Sequence, residues 1–169
     1  MRIAAIDPST KRIGYAGVDG LVTSITAHAG AKDPARRLHE LASALERHLR
    51  VFPPLPDLVA IEGYTLEVPG KRALVILGEL GGVLRLRLFE LGIRYIEVSP
   101  TSVKRHATGN GRADKQRMID RAHELGAAVT NDDEADAWLL RRMTRQAHGL
   151  EPAELDHEQD AIANAGIAW

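Results

Sequence analysis

Asp7 closes a run of four apolar residues, Ile3-Ala4-Ala5-Ile6, and Pro8 stops the run at once. A short apolar run bounded by a turn signal is the pattern of a strand buried on both faces. A carboxylate at the end of such a strand opens onto a cleft and needs a cation or a proton to be tolerated there. The pattern recurs in Leu58-Val59-Ala60-Ile61-Glu62, closed by Gly63. If these strands are parallel neighbours, Asp7 and Glu62 face each other across the sheet end. Two carboxylates about 4 Å apart repel by roughly 4 kcal/mol at an effective dielectric near 20. Either one is protonated or divalent metal holds the pair. Turn capping explains one such acid readily, but two matching ones poorly.

A third group of acids, Asp132-Asp133-Glu134 and Asp136, starts an apolar helix carrying Ala135, Trp138, Leu139 and Met143. Acids at a helix N-terminus contribute roughly 0.3–1 kcal/mol each, so capping accounts for two of them. Asp136 lies one turn in. It shares a face with Asp133 by three-residue spacing and with Asp132 by four-residue spacing, and spacing does not choose between them. A basic segment complements the acids. Lys104, Arg105, Arg112 and Lys115 flank Gly109-Asn110-Gly111, ahead of a helix expected to start near Ala113. Glycines let backbone amides approach a phosphate, and a helix N-terminus favours anions.

The elements that must position these groups follow in order. Ile13–Val18 and Leu21–His28 read as strands joined at Asp19-Gly20, a two-residue hairpin signal, so three sequential strands form an antiparallel meander. Asp33-Pro34 opens a helix with cap-then-proline chemistry, and Leu38, Leu41, Leu45 and Leu49 recur at helical spacing. Pro53, Pro54 and Pro56 end it. A long helix from about Gly70 to Leu91 carries an apolar arc wider than a half-buried helix needs, which suits a sheet on one side and a second subunit on the other. Its Gly78, Gly81 and Gly82 permit close backbone approach. Ile93–Val98 forms a fifth strand, and Ser99-Pro100 starts another helix. Strands separated by helices after a meander give an α/β fold, a mixed five-stranded sheet with helices on both faces.

The 169 residues suit one domain with its own core. Apolar content of 44% and charged content of 27% exclude a disordered chain. The absence of cysteine rules out disulfides and thiolate metal sites, and fits a reducing, cytoplasmic setting. No N-terminal signal stands out. The longest apolar stretch, residues 73–91, is broken by Glu79, Arg85, Arg87 and Glu90, so no membrane span is expected. The net charge of −1 is unevenly spread: residues 150–169 hold five acids and no Lys or Arg, which leaves 22 basic against 18 acidic residues in the first 149. That body permits a polyanionic partner. The expected division is a folded domain over 1–149 and an acidic C-terminal tail over 150–169.

Together these segments resemble the RuvC-type Holliday-junction resolvases of the RNase H-like (retroviral integrase) superfamily. Asp7-Pro8 followed by a short turn and Gly14-Tyr15 is similar to the family's first-strand motif, and Ala60-Ile61-Glu62 to its second acidic strand end. Val103-Lys104 and Thr108 to Lys115 are similar to its basic segment, and Asp133-Glu134-Ala135-Asp136-Ala137 to its final Asp-x-x-Asp-Ala. The resemblance therefore selects Asp133 as the partner of Asp136. Ser9 stands where the family prefers glycine. The aromatic residue that stacks on DNA bases is represented here by Tyr64, two positions after Glu62, with Thr65 at the third position.

The resemblance implies a structure-selective endonuclease that cuts four-way DNA junctions with paired nicks. Asp7, Glu62, Asp133 and Asp136 would hold two Mg²⁺ ions, replaceable by Mn²⁺, ~3.5–4 Å apart. Lys104 and Lys115 would serve catalysis by binding phosphates, and Arg105, Gly109, Asn110, Gly111, Arg112 and Tyr64 would complete the DNA contacts. The implied partners are branched DNA and a second copy of the chain, joined through the helix around residues 73–91. A branch-migration helicase is a further possible partner. Rival readings are a flap or fork nuclease of the same superfamily and a non-catalytic junction-binding module. An actin-like ATP-binding fold needs two such domains and is too large for this chain.

Overall fold

The computed structural model describes residues 1–28, 33–64 and 70–167. Five strands, β1 (Ile3–Pro8), β2 (Arg12–Ala16), β3 (Val22–Thr26), β4 (Leu58–Glu62) and β5 (Arg94–Val98), form one sheet in the order β3-β2-β1-β4-β5. The meander β1-β2-β3 is antiparallel, while β4 and β5 join parallel to β1. The expected mixed sheet is therefore the observed one. Its β2–β3 connection differs from the two-residue hairpin that Asp19-Gly20 predicts. Ala16 and Val22 are the last paired residues, so the loop spans residues 17–21. Gly17 permits this wider turn. A Cβ there would lie 2.6 Å from the Asp19 carboxylate, which instead accepts the Leu21 N–H.

Two helices cover one face. Helix α1 (Pro34–Arg50) is capped by Asp33, which accepts the Ala35 N–H at 3.0 Å, as the cap-then-proline pattern predicts. Helix α2 (Lys71–Glu90) packs beside it. Their Leu41, Leu45, Leu80, Leu84 and Leu88 bury Ala4, Ile6, Ile13, Val59 and Ile61 of the sheet. Alternation sends Ala5, Ala60 and Val98 to the other face. There they meet α3 (Pro100–Thr108), α4 (Lys115–Glu124), α5 (Asp132–Ala147) and α6 (Asp156–Ala165). Alanine at 5 and 60 leaves room for α5 to lie close across the central strands.

The acidic segment after Gly149 contributes α6, which packs on α3 and adds Ala161 and Ile167 to the second core. A chain of buried polar groups fastens it. His106 Nε2 and Gln146 Oε1 lie 2.5 Å apart, and Gln146 Nε2 donates to the Pro152 carbonyl at 2.7 Å. Glu158, 2% exposed, accepts the Glu154 N–H at 3.0 Å and sits 3.4 Å from the Arg142 guanidinium. Burial holds the His106 imidazole down at about 4, so it is neutral in this network.

Candidate active site

The register of the central strands sets the first two acids. Ile6 pairs with Ile61 in the parallel β1–β4 ladder, and one step further along both strands come Asp7 and Glu62. Both follow Ala5 and Ala60 by two residues and therefore point to the α5 face. Asp136, one turn into α5, comes down onto them. One carboxylate oxygen from each of Asp7, Glu62 and Asp136 lies within 4.8 Å of the others. Glu62 is 8% exposed, and its Oε2 has no hydrogen-bond partner; neither has the buried Asp136 Oδ1. Buried unpaired carboxylate oxygens are costly, and their natural complement is a hard cation. These donors fit a divalent ion such as Mg²⁺ or Mn²⁺, and the all-oxygen set does not favour zinc.

The start of α5 is anchored to the meander by several contacts. Asn131 caps the helix by accepting the Glu134 N–H at 3.1 Å. Glu134 faces the sheet rather than the cluster. It accepts from the Ser24 hydroxyl and from both the N–H and hydroxyl of Thr130, each at 2.8 Å. Burial alone would raise its carboxyl, yet these donors hold it below the usual range. Gly14, the β2 partner of Asp7, completes the seat. A Cβ on Gly14 would lie 1.9 Å from the Asp133 carbonyl oxygen, so only glycine lets α5 begin this close to the sheet.

Asp133 is oriented differently from the other three. Its Oδ2 accepts from Arg12 Nε and, at 3.3 Å, from the Ser9 hydroxyl. Arg12 also reaches Asp132 Oδ1 at 3.3 Å, and Lys115 Nζ pairs with Asp132 Oδ2. Asp7, Glu62 and Asp136 thus converge, while Asp133 is turned to a guanidinium at the cluster's edge. In the sequence Arg12 carried no assigned role, and Ser9, Gly14 and Glu134 stood only as members of a motif or an acidic run, without the contacts they make here. The signals available were the adjacency of Ser9 and Arg12 to the Asp-Pro turn, the Gly14-Tyr15 motif and the acidic run that holds Glu134.

Crowding shows in the proton affinities. Burial, then Asp136 and Asp133, push the Asp7 carboxyl well up; burial, then Asp7 and Asp136, do the same to Glu62. Burial raises Asp136 to about 7, against the opposing pull of Lys104. At the rim, Lys115 and Arg12 outweigh burial and hold Asp132 below the usual range. A carboxyl raised in the folded state adds stability below its unfolded value and loses it as pH climbs through the folded value. For Asp136 that window runs from 3.8 to about 7. Metal-free protein is therefore expected to lose thermal stability between about pH 4 and pH 7. Asp136→Asn should flatten that slope, and Mg²⁺ should stabilise more at pH 8 than at pH 6. Calorimetry showing a slope unchanged by Asp136→Asn would contradict this.

A basic wall stands beside the cluster. Ser99 caps α3 by accepting the Ser102 N–H at 3.1 Å, and Gly109 ends the helix with φ 77°, a left-handed conformation suited to glycine. Asp114 caps α4, which begins at Lys115, two residues later than expected. Along α3 and the loop that follows it opens a cavity of about 840 Å³ lined by Lys104, Arg105, Gly109, Asn110, Gly111 and Arg112, together with Pro100 and Thr101. Lys104 joins the two regions, since it lines the cavity and pulls on both Glu62 and Asp136. Tyr64 is 38% exposed, and its hydroxyl lies near Gly78 and Arg85 of α2. Thr65 lies outside the described residues.

A mixed sheet ordered β3-β2-β1-β4-β5, with carboxylates at the ends of two central strands and on the helix crossing them, is the arrangement of RNase H-like nucleases. Within that class the match is specific. The family model for crossover junction endodeoxyribonuclease RuvC matches residues 3–141, and the chain belongs to that family. Its relatives include the crossover junction endodeoxyribonuclease RuvC of Caldanaerobacter subterraneus subsp. tengcongensis, 32% identical over 151 residues, covering 83% of this chain and 89% of that one. That of Acidiphilium cryptum is 33% identical over 148 residues, covering 82% and 87%. Among solved structures, T. thermophilus RuvC in complex with Holliday junction substrate superposes with a TM-score of 0.68 at 19% identity, covering 82% of this chain and 89% of that one. The Thermus thermophilus RuvC structure gives 0.62 at 21%, covering 83% and 91%. These two show the shared fold. No described helix is long and apolar enough to cross a membrane.

Proposed function

We propose that this chain resolves four-way DNA junctions by metal-dependent phosphodiester hydrolysis. The observation that carries this reading is the meeting of Asp7, Glu62 and Asp136, with two buried oxygens unpartnered, beside a basic cavity in a RuvC-family fold. Asp7, Glu62 and Asp136, joined by Asp133, would hold two divalent ions, Mg²⁺ or Mn²⁺. Such ions supply a nucleophilic water at neutral pH and stabilise the leaving oxygen. The protein's own residues do the rest. Arg105 and Arg112 grip backbone phosphates at the cavity, where the amides of the Gly109–Gly111 loop can approach them. Lys104, between cavity and cluster, holds the scissile phosphate and offsets its growing charge. Lys115, beside Asp132 at the α5 rim, makes a further backbone-phosphate contact, and Tyr64 is the candidate for base stacking.

Resolution needs two cuts, and a two-fold dimer supplies two identical sites. The outer face of α2 suits such a contact. Val75, Leu86 and Phe89 are exposed there, Phe89 to 78%, although the helix's opposite face is fully used by the core. Cytoplasmic action with a branch-migration helicase belongs to the same proposal.

The deciding experiment offers a supercoiled plasmid cruciform, a synthetic four-way junction, a flap and plain duplex, with and without Mg²⁺. The expected result is metal-dependent conversion of the cruciform to linear plasmid, the product of two nicks in one binding event, with duplex uncut. Flaps cut as fast as junctions would instead favour a general branched-DNA nuclease. Accumulated nicked circles would count against the dimer. Lys104→Ala and Lys115→Ala should each weaken junction binding and lower the slope of log K against log salt by about 0.9 per lost phosphate contact. Unchanged slopes, measured by fluorescence anisotropy across a salt series, would remove both lysines from the DNA surface.

A further inference from the structure

Arg12 stands out among the cations near the cluster, because it bonds to a carboxylate that the proposed metal site needs. Three carboxylates already share a volume 4.8 Å across, and Asp133 is not among them. Its Oδ2 is engaged by Arg12 Nε and the Ser9 hydroxyl. Arg12 is held at its backbone by Ser9 and at its guanidinium by two aspartates. Arg12 begins β2, and its carbonyl accepts the Ser9 N–H at 2.8 Å, closing the turn after Asp7, and shares the single Ser9 hydroxyl proton, at 3.0 Å, with Asp133 Oδ2. Its NH2 group meanwhile bonds Asp132 Oδ1 at 3.3 Å. The Arg12 side chain is 32% exposed and that of Asp133 11%, so the pair is partly screened by water and can open.

A guanidinium and a divalent ion compete for the same carboxylate oxygen, and each also repels the other by Coulomb's law. From this we infer that Arg12 is a latch on the metal site: it occupies Asp133 as an internal counter-cation, and this carboxylate joins the cluster only when the guanidinium lets go. Arg12 is then a positioning residue acting through Asp133. The latch makes capture of the second divalent ion weaker than capture of the first, for which Asp7, Glu62 and Asp136 suffice. It rests on the metal reading above and adds an order of filling to it.

Loss of a nearby positive charge alone would also favour a cation, and Lys115 provides the control. Lys115 carries the same charge but pairs with Asp132, not Asp133. The test is titration of metal-free protein with Mn²⁺ alone, with free ion followed by electron paramagnetic resonance. The wild type should show one tighter and one weaker site. Arg12→Ala should tighten the weaker site about tenfold, equivalent to about 1.4 kcal/mol. Lys115→Ala should gain markedly less, and Asp133→Asn placed on Arg12→Ala should erase the gain. Arg12→Gln, which keeps a donor without the charge, serves if circular dichroism shows Arg12→Ala unfolded. An Arg12→Ala isotherm equal to wild type, or an equal gain from Lys115→Ala, overturns the latch while leaving the metal site standing. Absence of Mn²⁺ binding by wild type and variants alike overturns the metal site, and the latch with it.

Discussion

Asp7→Asn is expected to abolish strand cleavage, leave junction binding intact and make the metal-free protein more stable. The first effect follows from the position of Asp7, which is a member of the cluster together with Glu62 and Asp136. An amide in its place removes a charged ligand and adds an N–H donor where a cation should sit. A loss of about 10³-fold or more in single-turnover rate, about 4 kcal/mol of barrier, is the expected scale. Binding survives because the cavity lined by Lys104, Arg105 and Arg112 lies on α3 and the loop that follows it, not on β1. The stability gain follows because burial and the neighbouring Asp136 and Asp133 all disfavour a charged Asp7. An amide avoids that cost. Full nicking by Asp7→Asn would count heavily against the nuclease assignment. A fall in metal-free melting temperature at pH 8 would count against the crowding.

Gly14→Ala is expected to be the most damaging single methyl group in the chain. The added carbon would stand 1.9 Å from the Asp133 carbonyl oxygen and 2.4 Å from its carbon. The obstacle is backbone rather than a side-chain tip, so relief requires the α5 N-terminus to lift off the sheet. Overpacking of this kind costs about 3 kcal/mol, the upper end of its usual range. For a domain of this size that lowers the melting temperature by roughly 6–12 °C. The same displacement carries Asp133 and Asp136 away from Asp7 and Glu62, and a shift of about 1 Å at a reacting centre costs about 10²-fold in rate. Activity should therefore fall further than stability at temperatures where the variant is fully folded. A variant as active and as stable as wild type would show that α5 does not sit on Gly14.

The sequence exposed the acids of this site better than it exposed what holds them. Asp7 and Glu62 each close a buried strand, and a carboxylate in that position is conspicuous because burial penalises it. The parallel register that brings them together needed only the two strands to be neighbours, as they are. Asp133 was harder. Helical spacing allowed either Asp132 or Asp133 beside Asp136, the family resemblance chose Asp133, and the structure turns its carboxylate to Arg12. Arg12 was silent, and Gly14 showed only as part of a motif, because what each does depends on Asp133, more than a hundred residues away. A lone arginine in a turn and a lone glycine in a strand have many ordinary explanations. Helix α6 was hidden by its acidic composition, since Ala161, Ile162 and Ala165 form a thin apolar face, with Ile167 beyond the helix end. Its anchor is Glu158, held by Arg142 and Gln146 of α5, contacts that no local spacing announces. The β2–β3 loop misled for a local reason: Asp19-Gly20 is strong hairpin chemistry, but Gly17 allows a wider turn.

The claim on which the rest depends is that residues distant in sequence converge to grip hard cations. The most direct measurement is anomalous diffraction from crystals of the wild-type protein soaked in Mn²⁺. The account predicts a manganese peak bounded by the carboxylates of Asp7, Glu62 and Asp136, lost in crystals of Asp136→Asn. Manganese confined to the protein surface, with these three carboxylates unoccupied at saturating metal, would contradict it.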